Sequence, residues 1–159
     1  MKKEVRLYNV LFPIWFLFLF PQLWMIMLPV NFVVDSLVLY LSARRQGLEN
    51  RLGLWKKRIL PIWGIGFLSD LLGAGLVVLL YFGWCYLDIQ GAELFNPILF
   101  PGTTLMALPG VALAGWLIYI FNKKLTFRNS GLDPAVVHKI CLHLALWTAP
   151  YTMLIPLYG

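Results

Sequence analysis

From Leu60 to Tyr86 the chain carries one charged side chain, Asp70. A run this long and apolar exceeds the ~20 residues a helix needs to cross ~30 Å of hydrocarbon. In that solvent each backbone polar group must be satisfied within its own segment or by a closed barrel, so the run is restricted to helix. Two further apolar runs, 98–121 and 135–157, and a longer one, 8–43, fill most of the remaining sequence. With 60% hydrophobic and 13% charged residues in 159, and a mean hydropathy of +0.77, too little polar sequence remains to cover a soluble globule. The expected fold is an all-α, polytopic integral membrane helical bundle, a single domain over 1–159 that passes the cell membrane several times.

Charge supplies the topology. The net charge is +6, and all the basic residues but Lys139 fall in three clusters between apolar runs: Lys2, Lys3 and Arg6; Arg44, Arg45, Arg51, Lys56, Lys57 and Arg58; Lys123, Lys124 and Arg128. Such clusters mark the inner face of a membrane and meet anionic lipid headgroups. No stacking platform or groove-reading helix accompanies them, so nucleic acid is not an expected partner. The connection 87–96 holds Asp88 and Glu93 without Lys or Arg and belongs outside. The basic N-terminus followed by an apolar run resembles a secretory signal, but no small-residue cleavage site follows, and the segment is expected to be retained.

Residues 8–43 as one helix would reach about 54 Å, and Pro13, Pro21 and Pro29 each remove a backbone donor. With both flanking clusters inside, an even number of crossings is needed. This favours a Pro-broken hairpin or re-entrant element turning near Pro21-Gln22. The alternative is one tilted span over 22–43 behind an interfacial helix bearing Trp15, Phe16, Phe18 and Phe20. Between Gln46 and Ile59, Leu48, Leu52 and Trp55 recur at helical spacing, which fits either a segment lying on headgroups or an ordinary basic loop. The span 60–86 enters through Pro61 and contains Ser69-x-x-x-Gly73, a spacing that admits a second helix closely. The span 98–121 should kink near Pro109, with Thr103 or Thr104 satisfying freed carbonyls. Asn129 to Pro134 reads as a turn, with Asp133 as N-cap and Pro134 as the first helical residue. The span 135–157 is broken by Pro150 and Pro156.

Two carboxylates lie inside the apolar runs, in Asn31-Phe-Val-Val-Asp35 and Gly66-Phe-Leu-Ser-Asp70. An ionisable group in hydrocarbon costs at least ~2.5 kcal/mol and normally pairs or lines a wet cavity. Asp35 precedes Arg44 by nine residues and Asp70 follows Arg58 by twelve, so helical legs place them about 14 and 18 Å below one basic loop. The repeat of [Asn/Gly]-Phe-x-x-Asp on opposed segments resembles a small inverted repeat, the arrangement that houses coupling-ion sites in transporters. Two carboxylates that meet share a proton or bind a cation. Asp35 and Asp70, with Asn31 and Ser69 as neutral oxygens, form the candidate cation or proton site. The opposing reading makes both aspartates structural. His138 and Cys141 share a helix face, whereas His143 points away from it, and two residues do not make a zinc site. No enzyme motif, metal site or cofactor is expected.

Phe121-Asn122-Lys123-Lys124-Leu125-Thr126-Phe127 resembles the N-[KR]-[KR]-x-[TV]-F helix ending of the GtrA-like family, and Leu60 to Tyr86 is similar to that family's first helix. The likeness covers about 70 residues; 8–43 has no counterpart, and a second basic ending is missing. The family's four-helix proteins are associated with moving polyprenyl-linked sugars, so the resemblance implies that Lys123, Lys124 and Arg128 contact a lipid phosphate. The opening LFPIW and LPVNFVVD also resemble small bacterial polytopic membrane proteins, which implies no activity. The leading expectation is a small transporter or transporter subunit with Asp35 and Asp70 as its ion site. The alternatives are a non-enzymatic accessory or scaffold protein packed on a larger membrane partner, or on a second copy of itself, and GtrA-like translocation of a lipid-linked sugar.

Overall fold

The structure, a computed structural model, describes residues 24–87 and 102–154. They form four helices and no strand: α1 (Trp24–Arg45), α2 (Arg51–Leu87), α3 (Gly102–Phe121) and α4 (Pro134–Trp147). A π-helical turn, Asn122–Thr126, continues α3, and a 3₁₀ turn, Tyr151–Leu154, follows α4. Three of the helices are long and apolar enough to cross a membrane, over Met25–Arg45, Arg51–Trp84 and Thr104–Thr126. The all-helical class expected from the sequence is therefore observed. The proposed turn near Pro21-Gln22, the connection 87–96 beyond Leu87 and the Thr103 side chain lie outside the described residues.

α1 runs through Pro29 and ends in a Schellman motif. Gly47 adopts φ +69°, Gly47 N–H donates to Arg44 O and Leu48 N–H donates to Ala43 O, both at 3.1 Å. Arg44 and Arg45 in its last turn oppose the negative end of the helix dipole. Five residues after Arg45, Asn50 caps the next helix, its Oδ1 accepting from Gly53 N–H at 2.9 Å. This cap explains why α2 starts at Arg51, nine residues before the expected span at Leu60. The basic stretch 51–59 is the first part of the helix itself, and Pro61 lies inside it with its ring exposed. At 37 residues α2 is about 56 Å long, well beyond a hydrocarbon core, so its basic first turns extend past the apolar part.

α2 packs on α3 where Gly73 meets Gly110. A Cβ added to Gly73 would lie 2.6 Å from the Gly110 carbonyl oxygen, and one on Gly110 would lie 2.7 Å from the Gly73 carbonyl oxygen. The two backbones touch, as the Ser69-x-x-x-Gly73 spacing predicts. α4 begins as expected, with Asp133 accepting from Ala135 N–H and Pro134 in the first turn. It stops at Trp147, where Thr148 N–H donates to Leu144 O and the chain turns before Pro150. Fourteen residues give about 21 Å, so α4 is shorter than the span expected over 135–157, whose last residues lie outside the described ones.

The apolar interior has two parts. One, around Leu39, Ile62, Ile118, Ile140 and Leu144, lies towards the basic end; the other joins Ala74, Ala107, Val111 and Met153. Asp35, one turn before Leu39, and Asp70, one turn before Ala74, fall between them.

Candidate functional site

Asn31 and Asp35 are one turn apart on α1, and Gly66 and Asp70 one turn apart on α2, so each motif presents both its polar and its small position to one side. The two helices are joined by the short 46–50 loop and run in opposite senses, which turns the motifs towards each other. Trp63 fixes this pairing: its Nε1–H donates to Leu28 O at 3.1 Å, and its ring meets Phe32 edge-on at 6.2 Å. Phe32 also meets Trp55 edge-on, at 6.4 Å.

The result is a small cavity lined by Asn31, Val34, Asp35, Gly66, Phe67, Asp70 and Thr148. Its volume is about 20 Å³, room for a water molecule. Asp35 is 4% exposed and Asp70 7%. Asp35 lies directly against the backbone of α2, since a Cβ on Gly66 would come within 3.3 Å of its Oδ2. The two carboxylates and Thr148 line the same cavity. Asp70 Oδ1 is buried and has no hydrogen-bond partner among the described residues. Among the described residues no Lys, Arg or His lines the cavity, and no three His, Cys, Asp or Glu side chains gather to hold a metal. A buried polar atom is ordinarily satisfied, so an orphaned carboxylate oxygen in a small cavity that a second carboxylate also lines is an arrangement that can take up a proton or a cation.

Of the four residues expected here, Asp35, Asp70 and Asn31 come together. Ser69 does not line the cavity: it is fully buried and its hydroxyl donates to Ile65 O, one turn back on its own helix, at 2.7 Å. Thr148, at the end of α4, lines it instead and was not singled out by the sequence. Its only local signal is a hydroxyl two residues before the helix-breaking Pro150.

The basic residues Lys123, Lys124 and Arg128 are exposed near the end of α3. Lys123 Nζ donates to Tyr119 Oη at 3.1 Å, and Tyr119 Oη shares a 2.8 Å hydrogen bond with His138 Nδ1. The π turn beneath them is held by two buried residues. Asn122 Nδ2 donates to Ile118 O and Thr126 Oγ1 donates to Asn122 Oδ1, at 2.9 and 3.0 Å. Arg58 reaches from α2 to the same turn, donating through Nη1 to Thr126 O at 2.6 Å and through Nη2 to Asn129 O at 3.1 Å. Sequence reasoning placed Arg58 among topology charges and missed this clamp. Cys141 belongs to the apolar core and His143 shares a 2.5 Å hydrogen bond with Ser42, so His138, Cys141 and His143 do not converge. Thr104 donates to Leu154 O at 2.9 Å, tying the terminal 3₁₀ turn to α3 rather than mending its own helix at Pro109. No family model, curated protein or solved structure matches the chain.

Proposed function

We propose that the chain is a small multi-pass protein of the cell membrane that transports a cation or protons, alone or as the subunit of a transporter, with Asp35 and Asp70 as its binding site. One observation carries this reading: two buried carboxylates from different helices line one small cavity, and among the described residues an oxygen of Asp70 has no hydrogen-bond partner and no basic side chain lines the space. Structural aspartates in apolar surroundings are normally bonded to a donor. The test is flux into proteoliposomes containing the purified chain, followed with a pH-sensitive dye and imposed proton or cation gradients. Flux that depends on the chain and disappears in Asp35→Asn and Asp70→Asn is expected. Full flux in both neutral variants sinks the reading.

A second reading, lipid-phosphate recognition at the end of α3, is supported by the linked Lys123, Tyr119 and His138 side chains, which sit with Lys124 and Arg128 at the basic end. It predicts that replacing Lys123 and Lys124 by Gln abolishes activity in a correctly folded protein, while Asp35→Asn leaves it intact.

A further inference from the structure

Resting on the cation reading, we infer that the broken end of α4 is the third wall of the site, so that its occupant is a cation held by oxygens from three helices rather than a proton passed between two side chains. The length of α4 comes first. With 14 residues and about 21 Å, it is not one of the three helices long and apolar enough to cross a membrane. Arg58 holds the turn that leads into it at the basic end of the bundle, through Thr126 O and Asn129 O. On the proposed placement, a helix of that length entering a ~30 Å core from the basic end stops inside it. Thr148, which caps its last turn, lines the cavity with Asp35 and Asp70. Pro150 cannot continue the helix, and the chain turns into the 3₁₀ segment Tyr151–Leu154, which Thr104 ties to α3. A helix that ends beside an ion site presents its carbonyl end to the ion, and half-helices of this kind place oxygen ligands within hydrocarbon.

The way the other helices end supports the same assignment. The C-terminal end of a helix carries about half a negative charge, and a cation beside it is stabilising. α1 meets this with Arg44 and Arg45 in its last turn, and the π turn that finishes α3 carries Lys123 and Lys124. The last turn of α4 has no basic residue, and among the described residues no Lys, Arg or His lines the cavity it abuts. Acceptor groups from three helices therefore converge on one small space: Asn31 and Asp35 from α1, Asp70 from α2 and the carbonyl end of α4. Thr148 adds to them. Its hydroxyl hydrogen is committed to Leu144 O at 2.8 Å, so its oxygen has only lone pairs left to give. The buried Asp70 Oδ1, which has no hydrogen-bond partner among the described residues, is the atom that lacks its ligand. A proton requires a single acceptor to leave and another to reach. A set of carboxylate, amide, hydroxyl and helix-end oxygens suits an occupant that takes several at once, which is how hard cations are held.

The full chain in detergent is titrated calorimetrically with NaCl, KCl and CaCl₂ in turn, at constant ionic strength in choline chloride, and compared with Thr148→Val and Thr148→Ser. Saturable binding of at least one of these cations is expected, lost in Asp35→Asn and Asp70→Asn. For that cation, Thr148→Val should raise the Kd about two- to tenfold at an unchanged melting temperature, because one oxygen of several is removed. Thr148→Ser keeps the oxygen and drops the methyl group, and should bind as the wild type does. Wild-type affinity in Thr148→Val overturns the inference alone. Equal weakening in Thr148→Val and Thr148→Ser assigns Thr148 to packing and overturns it too. Dye-measured proton uptake that depends on Asp35 and Asp70, with none of the three cations bound, also overturns the inference and leaves the cation-or-proton reading standing. If neither protons nor cations bind in an aspartate-dependent way, both fall.

Discussion

The Thr148 hydroxyl donates to Leu144 O at 2.8 Å and, with Asp35, lines the cavity. Thr148→Val keeps the shape and removes the oxygen, and a hydrogen bond of ordinary net worth, about 0.5–1.5 kcal/mol, predicts an ion affinity two- to tenfold weaker. Calorimetry on the purified variant checks this. A different outcome is expected at Asn122, which is wholly buried and joins Ile118 O to the Thr126 hydroxyl. Asn122→Ala strands those groups in the interior and should cost about 1–3 kcal/mol, read as a lower melting temperature with the aspartate-dependent flux unchanged. Asp35, Asp70 and Asn31 were legible because helical spacing and distance from one basic loop suffice to bring them together. Thr148 was not, since its place depends on how α4 packs some 80 residues downstream. Ser69 was misplaced as a ligand for a simple reason: a serine inside a helix has its own preceding carbonyl within reach.

At the scale of elements, the α2–α3 crossing depends on two glycines whose backbones meet. Gly73→Ala forces the helices apart against the Gly110 carbonyl and the Ala114 methyl, and should destabilise by about 1–3 kcal/mol. Gly64 and Gly75 on the same helix have nothing within 4 Å of an added Cβ, and Ala there should be neutral or stabilising by up to about 1 kcal/mol. Thermal unfolding of the three variants in one detergent separates the cases. The small-residue spacing around Gly73 was readable as a contact. The boundaries of α2 were not, because Gly53 and Pro61 look like punctuation in isolation. Asn50 supplies a start that overrides the glycine, and the proline ring turns outwards where no packing opposes it. The shortness of α4 follows from Pro150, which the sequence displays, but the 3₁₀ turn after it is held by Thr104 from another helix.

For the whole molecule, Arg58 binds the start of α2 to the turn after α3, so the loop 46–50 and the turn 127–133 share one end of the bundle. Single cysteines at Gln46 and Ser130 should therefore be labelled from the same side of the membrane, in a background lacking Cys85 and Cys141. Label at Lys3 decides whether 8–43 doubles back, since the hairpin puts it on that side and a single crossing puts it on the other. The two apolar clusters and the polar layer between them have an electrical consequence. Asp35 and Asp70 lie about 14 and 18 Å along their helices from Arg44 and Arg58, which on the proposed membrane placement is roughly halfway through a ~30 Å core. A charge arriving there from either side crosses about half of the membrane voltage. With about 2.3 kcal/mol per charge for each 100 mV across the whole membrane, occupancy of the site should shift about sevenfold per 100 mV. In reconstituted vesicles, a potassium diffusion potential would then set how full the cavity is at a fixed ion concentration.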